Sequence, residues 1–263
     1  MKPSRRTGRI AAAPILFGAL GIVLLLVAWQ WGSTRVTSEG ALPAIPIVAQ
    51  ALGGLFAEGA FWTDVLLTLG IALLGWAIAA VVGVALGVLV GTSDIVFSAT
   101  RVVLEFLRPI PAIVILPLAM LVLGPTGEMG VFLVVFGVML PIAAQTAAGV
   151  ESIDPVMRNT ARSFGMKSGE ILWRVILPGA SPFIGTAMRV AAPVTLIMAV
   201  VAGMLGGAPG IGSALTVAQS SGRSDLIFAY VVVLGVLGLL VQAAAGRTER
   251  RLLHWHSSYR KGN

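Results

Sequence analysis

Six apolar runs dominate this sequence of 263 residues, and short polar segments separate them. Five of the runs cover residues 10–31, 66–90, 131–149, 179–204 and 226–245, and the third run, which rises past Arg101, Glu105 and Arg108, ends at Leu123. Each is close to the roughly 20 residues that an α-helix needs to cross the hydrocarbon core of a bilayer. Only 11% of the residues are charged. Because backbone polar groups in lipid must be satisfied within the chain, the sequence predicts an all-α, polytopic membrane protein with six transmembrane helices.

The basic residues predict which side of the membrane each loop faces, because cytoplasmic loops collect Lys and Arg. If both termini are cytoplasmic, 15 of the 18 basic residues fall in inner segments. They are Lys2, Arg5, Arg6, Arg9, Arg101, Arg108, Arg158, Arg162, Lys167, Arg174, Arg247, Arg250, Arg251, Arg260 and Lys261. Five or seven spans would place one basic terminus outside. The net charge of +7 is therefore attributed to the membrane topology, and nucleic acid is not predicted as a partner.

The chain divides into five segments by this topology. They are a basic cytoplasmic N-terminus (1–9), a first transmembrane helix (10–31), an outer segment (32–65), a transmembrane core (66–246) and a basic cytoplasmic tail (247–263). The first run has the basic start of a signal peptide but lacks a small-residue cleavage site, so we interpret it as a retained span. Residues 43–56 of the outer segment are predicted to form an amphipathic helix.

Two further patterns concern the transmembrane core. Pro109, Pro111 and Pro117 interrupt the third run, so a broken or kinked third span is expected. Gly83 and Gly87 in the second run form a small-xxx-small pattern, which lets another helix approach closely.

The segment 154–178, here called the elbow, lies between the fourth and fifth spans, and it is neither apolar enough to sit in a bilayer nor irregular enough to be a simple loop. Its pattern predicts two short cytoplasmic helices. Asp154, followed by proline, is typical of a helix start, and Gly165 would end that helix. Ser168 is expected to cap the second helix and Pro178 to stop it.

The elbow has the composition of a docking surface for a soluble partner. Ala161, Phe164 and Met166 would fill an apolar groove, while the basic residues around them face acidic or phosphate groups. The alternative is that the elbow lies on anionic membrane lipid, with its apolar face buried in the interface. Both interpretations stay open from the residues alone.

Arg189 is the one charged residue inside a predicted span, and charges within membranes are functional candidates by default. With Thr195 in the same span and Gln145 in the fourth, it is predicted to line a substrate pathway, where a positive charge would suit an anion. The alternative is structural. Arg189 would then bind carbonyl groups freed by the prolines of its span, or pair with a neighbour such as Glu105.

The segment 205–224 is too rich in Gly, Ser and Ala for an ordinary span. Gly203, Gly206, Gly207 and Gly210 permit tight turns that side chains would block. They are predicted to form an outer gate or, alternatively, a re-entrant loop packed against its neighbours.

Groups for catalysis are scarce. The two histidines, His254 and His256, are spaced i, i+2, which does not direct them at one metal ion from a helix. The chain has no cysteine, its carboxylates are scattered, and it has no phosphate-binding GxxxxGK[ST] loop. The sequence therefore predicts a protein that is not an enzyme and has no metal site.

The residues of the elbow also resemble a known family. TARSFGMKSGEILWRVILPGASPFIGTAMRVA, which starts at Thr160, is similar to the cytoplasmic "EAA" loop of binding-protein-dependent ABC transporter permeases. Ala161, Gly165 and the Ile-Leu-Pro sequence that ends at Pro178 stand at matching places. LRPIPAIVILPLAMLVLGPTGE and LPIAAQTAAGVESIDP resemble the alkanesulfonate/nitrate/taurine-type subfamily. The resemblance extends over residues 42–255.

This resemblance implies a non-catalytic permease subunit of an ATP-binding-cassette (ABC) importer in the bacterial cytoplasmic (inner) membrane. Two copies would form the pathway, and an extracytoplasmic substrate-binding protein would deliver the solute. A separate ATPase subunit would hold ATP and Mg, with no cofactor on this chain. Coupling to that ATPase is implied for Asn159, Thr160, Ala161, Phe164, Gly165 and Met166. The solute would be a small organic or inorganic anion such as a sulfonate, taurine or nitrate, although relatives that carry vitamin precursors look alike.

Three positions depart from the family pattern. Asn159, Gly203 and Gln242 stand where the family commonly has acidic residues. The main alternative function is an ATP-independent secondary transporter or channel. The two halves show no obvious repeat, and no predicted span carries a deep Asp or Glu for ion coupling. An intramembrane enzyme is disfavoured by the lack of a catalytic constellation.

Overall fold

The structure is a computed structural model, and it describes residues 12–35 and 41–253. Within this part of the chain the regular secondary structure is entirely helical, which confirms the predicted all-α class. The basic segment 1–9 and both histidines, His254 and His256, lie outside the described residues.

The described residues form two compact units. The smaller unit comprises residues 12–35, 41–58 and 218–232, and the larger comprises 59–217 and 233–253. The elbow and all the predicted site residues belong to the larger unit.

The smaller unit contains α1 (Ala12–Arg35) and α2 (Ile45–Ala57). The indole N–H of Trp29 donates a hydrogen bond of 3.0 Å to the carbonyl of Pro43, which precedes α2. The helix α1 corresponds to the first predicted span, and the helix predicted within residues 43–56 is confirmed as α2.

The rest of the described chain forms nine further α-helices and two short turns of other helix types. They are α3 (Gly59–Thr92), α4 (Asp94–Leu107), a 3-10 turn (Ala112–Ile115), α5 (Leu116–Leu123), α6 (Gly127–Glu151), α7 (Pro155–Ser163), α8 (Ser168–Ile171), a π-helical turn (Leu172–Ile176), α9 (Leu177–Gly206), α10 (Ile211–Ser220) and α11 (Ser224–Leu252). The core of the larger unit is formed by α3, α6 and α9, which pack against one another.

A row of small residues on α3 brings α6 close. The row consists of Gly75, Ala79, Gly83, Gly87 and Gly91. Residues four apart share one face of a helix, and a side-chain carbon at Gly83 would lie 2.8 Å from the Met139 carbonyl oxygen of α6. The helices therefore meet almost backbone to backbone, as the small-xxx-small pattern predicts.

The contacts between α3 and α6 advance in the same direction along both helices. Near the start of the interface Gly75 lies against Val134. Near its end Gly91 lies against Val150. The two helices are therefore parallel, which requires the chain between them to return from one end of the bundle to the other.

The helix α9 runs the opposite way. Gly149, late in α6, packs on Phe183, early in α9. Gly137, earlier in α6, packs on Met198, later in α9. The order is reversed, so α6 and α9 are antiparallel.

The helix α11 is also antiparallel to α9. Gly185 contacts Leu253, just past the end of α11, while Arg189 contacts Gly246, one to two turns earlier. The elbow, the start of α9 and the carboxyl ends of α3, α6 and α11 therefore lie at one end of the bundle.

The third predicted span is not one helix. Its residues form α4, the 3-10 turn and α5, and the interruption falls at Pro109 and Pro111, as predicted. Pro117 is tolerated because it lies in the first turn of α5, where its missing N–H has no intrahelical partner to lose. Of the described helices, five are long and apolar enough to cross a membrane, and the 112–123 segment is shorter.

Candidate functional site

The first helix of the elbow, α7, is held at its start by two hydrogen bonds. The Asp154 carboxylate accepts from the N–H of Val156 at 2.8 Å, as the residue that caps a helix start does. The guanidinium of Arg158 donates to the carbonyl of Val150 in the last turn of α6. The predicted start of α7 is confirmed, and the helix is tied to the end of α6.

The end of α7 depends on Gly165, whose φ of 80° is left-handed. Its N–H donates to the Arg162 carbonyl at 2.9 Å. The next N–H, that of Met166, donates to the Ala161 carbonyl at 3.2 Å. These two bonds form a Schellman motif, which commonly ends a helix at glycine. The predicted turn at Gly165 is confirmed.

The second helix of the elbow differs from the prediction at both ends. Lys167 rather than Ser168 is the cap residue, and its backbone N–H donates to the Glu170 carboxylate at 3.2 Å. Pro178 does not stop the helix, because Ser168–Gly206 is one continuous helical segment. A π-helical turn directly precedes the proline. Its extra residue relieves the clash between the proline ring and the preceding turn that normally ends a helix.

One face of the elbow is buried within the chain. Ala161 and Ile171 belong to a buried cluster with Val150, Ile153, Ile176 and Ala180. Met166 packs against the same cluster. The prediction that Ala161 enters a groove on a partner is therefore corrected, because its side chain is buried within the chain. Met166 is only partly buried, and its contact with a partner stays a prediction.

The other face of the elbow is exposed. Phe164 is 83% exposed, and Val156 and Met157 on α7 are also exposed. Asn159 and Thr160 share this exposure. Apolar residues open to solvent beside polar ones are typical of a surface that another protein covers, so Phe164 is the predicted contact residue that the structure leaves available.

A cavity of about 360 Å³ separates parts of the elbow from the end of α3. Its lining includes Thr92, Arg158, Arg162 and Ser168. The ion pairs among the described residues do not include either arginine. Among the described residues, neither arginine therefore forms a direct ion pair with a carboxylate.

Arg189 is paired with the carboxylate of Glu249, a partner that the sequence did not predict. Its Nε lies 3.1 Å from Oε2 of Glu249, and the Glu249 side chain is only 3% exposed. The hydroxyl of Thr186 donates to the other carboxylate oxygen at 3.3 Å. Glu249 follows the last apolar run and belongs to the predicted polar tail, but α11 continues to Leu252. A charge in a span requires a partner, and that requirement was the signal that could have identified Glu249.

The three predicted pathway residues do not converge. Arg189 and Thr195 line a cavity of about 590 Å³ between α3, α9 and α11, and its walls are almost wholly apolar. Thr195 is buried, and its hydroxyl donates to the Ala192 carbonyl at 2.7 Å. Gln145 does not line this cavity and is exposed on α6.

The predicted gate glycines come together at the end of α9 and pack tightly. Gly207 and Gly210 have positive φ values of 72° and 131°. A side-chain carbon at Gly203 would lie 2.9 Å from the Cα of Gly212. The N–H of Ile211 donates to the Thr68 hydroxyl of α3 at 2.9 Å. These glycines therefore lie in a tightly packed segment, and the outer gate stays a prediction.

Comparison with known proteins gives one family match. Residues 81–254 match the family described as the binding-protein-dependent transport system inner membrane component. This match spans the elbow, the gate glycines and the residues that line the two cavities, apart from Leu73 and Trp76.

Individual relatives have similar lengths. The chain is 28% identical to the taurine transport system permease protein TauC of Escherichia coli, over 89% of this chain and 87% of that protein. It is 27% identical to the nitrate import permease protein NrtB of Synechocystis, over 92% and 91% of the two chains. The inward-facing MetNI methionine ABC transporter shares the fold, with a TM-score of 0.65 over 73% of this chain and 95% of that chain, at 20% identity.

Proposed function

The chain belongs to the binding-protein-dependent transport system inner membrane component family, and from this premise we propose how it works as the permease subunit of an ABC importer. It is a multi-pass membrane protein. Our proposal is that an ATPase subunit docks on the exposed face of the elbow and drives a change in access to a solute pathway.

One observation carries the proposal of coupling. The second elbow helix is continuous with α9, over Ser168–Gly206. A rigid helix transmits a displacement at its start along its length, whereas a break at Pro178 would have absorbed it. The elbow is further fastened to α6 through Arg158, so movement of the elbow reaches two core helices.

The ATPase contact would be made by the exposed part of the predicted coupling residues. We propose that Phe164 enters an apolar pocket of the ATPase, with Asn159 and Thr160 beside it. Gly165, Ala161 and Met166 act indirectly, because they set the shape of the elbow. ATP and Mg would be held by the ATPase, which supplies the hydrolysis.

A topology of six crossings is supported by the direction of the core helices. Since α3 and α6 are parallel, residues 93–126 return across the bundle, and we propose that the 3-10 turn and α5 complete this third crossing. Both termini would be cytoplasmic, on the side of the elbow. This assignment places 15 of the 18 basic residues inside, in accord with the positive-inside rule.

The solute we propose is a small anion, because relatives that span nearly the whole chain are permeases named for taurine and for nitrate. Of the predicted pathway residues, Gln145 is the best placed for solute contact. Its amide is exposed on an apolar span, where an amide facing lipid would be costly, so it would face an aqueous path. The gate glycines would close the outer end of that path.

The pathway would lie between two copies of the permease. Gln145 is a polar residue exposed on a core helix. A second copy of the permease beside it would enclose an aqueous path and keep its amide away from lipid. Native mass measurement of the detergent-solubilised complex should then find two permease chains and two ATPase chains, and a complex with one permease chain would contradict this arrangement.

The experiment that tests the function is copurification. An affinity-tagged chain should retain an ATP-hydrolysing subunit from native membranes, and solute uptake in vesicles should require internal ATP. Uptake that persists without ATP, and without any retained ATPase, would instead support a secondary transporter or channel. Adding taurine, an alkanesulfonate or nitrate with the purified binding protein should then identify the solute through stimulated ATP hydrolysis.

A further inference from the structure

The Arg189–Glu249 pair joins two helices that have little other contact along their length. The helices α9 and α11 make few close backbone approaches, and the apolar cavity of about 590 Å³ opens between them. In the wall of this cavity, the side chains of Arg189 and Glu249 bridge the two helices with an Nε–Oε2 distance of 3.1 Å.

Three neighbours reinforce this bridge. The Thr186 hydroxyl donates to Glu249 at 3.3 Å, so both carboxylate oxygens are engaged. A side-chain carbon at Gly185 would lie 2.6 Å from Cδ1 of Leu253, so the Leu253 side chain lies directly against α9. Gly246 lies beneath the aliphatic part of Arg189. One turn of α9 is thus fastened to the last turns of α11.

The bridge is too well neutralised to attract a solute anion. The Glu249 carboxylate lies within hydrogen-bond distance of the guanidinium, and its negative charge opposes the approach of an anion. Only the carboxylate of the pair is buried, since the Glu249 side chain is 3% exposed and the Arg189 side chain 43% exposed. Loss of Arg189 would therefore leave a buried negative charge without its counter-charge, which is costly. These properties suit a permanent mechanical connection.

We propose that the Arg189–Glu249 pair is a latch that makes α11 move with the elbow during the transport cycle. The latch lies about 30 Å along the continuous helix from Ser168, at 1.5 Å per residue. Displacement of the elbow by the ATPase moves this turn of α9, and the latch carries the end of α11 with it. Arg189 and Glu249 are positioning residues in this scheme. The inference rests on the proposed docking of an ATPase at the elbow.

Glu249→Gln tests the latch, because the amide keeps the shape and the Thr186 contact but removes the charge. In reconstituted vesicles we expect at least a tenfold fall in solute transported per ATP hydrolysed, with ATP hydrolysis retained. Arg189→Met should have the same effect. Glu249→Asp, which keeps the charge, should recover part of the coupling. Arg247→Gln, an exposed arginine of the same helix end, is the matched control and should transport normally.

A distance measurement separates a latch from a role in folding. Spin labels on cysteines at Leu239 of α11 and Phe132 of α6, both exposed, should report a nucleotide-dependent change in distance that Glu249→Gln abolishes. An unchanged response in Glu249→Gln, or normal transport per ATP in that variant, would overturn the proposal. The proposal would also be overturned if Glu249→Gln lowered only the amount of assembled complex. If instead the wild-type protein shows no ATP-dependent transport, the proposed function fails, and that result is visible before any variant is made.

Discussion

At the scale of single residues, the shape of the elbow depends on a glycine and its orientation depends on an arginine. Gly165 ends α7 with a φ of 80°, and Arg158 fastens α7 to the end of α6. Neither residue needs to touch a partner to matter for coupling. Each fixes where the exposed Phe164 is presented, so substitutions here should affect coupling before they affect insertion into the membrane.

Gly165→Val should uncouple the transporter. A left-handed conformation costs an L-residue about 1–2 kcal/mol, and a β-branched side chain raises that cost, so the turn should shift and Phe164 should be displaced. We expect substrate-stimulated ATP hydrolysis of the reconstituted complex to fall severalfold, with normal amounts of permease in the membrane.

Gly169→Val is the matched control for that variant. Gly169 lies in the same elbow and has open space around it, and its φ is not left-handed. If substrate-stimulated ATP hydrolysis is the same in Gly165→Val and Gly169→Val, the left-handed turn does not contribute to coupling.

Phe164→Ala should weaken retention of the ATPase. A largely exposed aromatic residue in an interface commonly acts as an anchor, and its truncation costs about 2 kcal/mol or more, which is over tenfold in affinity. The measurement is the amount of ATPase that copurifies with tagged permease. Phe106→Ala, at a comparably exposed phenylalanine on α4, should leave retention unchanged, and a loss common to both variants would argue against a specific contact at the elbow.

At the scale of elements, the contact between α3 and α6 is the closest of the core. This close contact follows from the small residues at every fourth position of α3, which form one row on the face that meets α6. This contact aligns the two helices in parallel and thereby determines the path of the chain between them.

Gly83→Ala should destabilise this contact by about 1–3 kcal/mol, the usual range for an overpacked core. The added methyl group would meet the Met139 carbonyl oxygen at 2.8 Å, so the helices must separate. Thermal unfolding in detergent is the measurement. Gly70→Ala on the same helix has open space and should be neutral or stabilising by up to about 1 kcal/mol. A lower unfolding temperature for both variants would contradict the packing argument.

At the scale of the whole molecule, the direction of the helices and the positive-inside rule lead to the same topology. The elbow lies at the carboxyl ends of α3 and α6, and the turn before α6 lies at the opposite end of the larger unit. The positive-inside rule places the basic residues of the elbow on the cytoplasmic side. The turn before α6, at the opposite end, should therefore face outwards.

Cysteine labelling checks this topology, because the chain has no native cysteine. In intact cells an impermeant thiol reagent should label Pro125→Cys, in the exposed turn before α6, and should not label Ser168→Cys in the elbow. Ser168→Cys should become reactive once the membrane is permeabilised. Labelling of position 168 in intact cells would show that the elbow faces outwards and would contradict this topology.

The sequence by itself determined the features that depend on neighbouring residues. Apolar runs predict membrane helices because lipid leaves the backbone no other partners. Asp154 and Gly165 mark the ends of α7 because capping is local, and the resemblance of the elbow to a known family follows from the same short segment. Even the close packing of α3 could be predicted from Gly83 and Gly87, although the identity of its partner could not.

Tertiary structure decided what depends on residues far apart in the chain. Pro178 carries a local stop signal, but a π-helical turn and the packing of the bundle let the helix continue through it. Ala161 is apolar whether it meets this chain or another, and only the packed bundle shows that it is buried. Glu249 resembles an ordinary charge in a basic tail until α11 is laid antiparallel to α9, which brings its carboxylate to Arg189. The physical reason is that helices pack where their surfaces match in shape and charge. Those surfaces combine residues that are far apart in the chain, so a short stretch of sequence does not reveal which helices will pair.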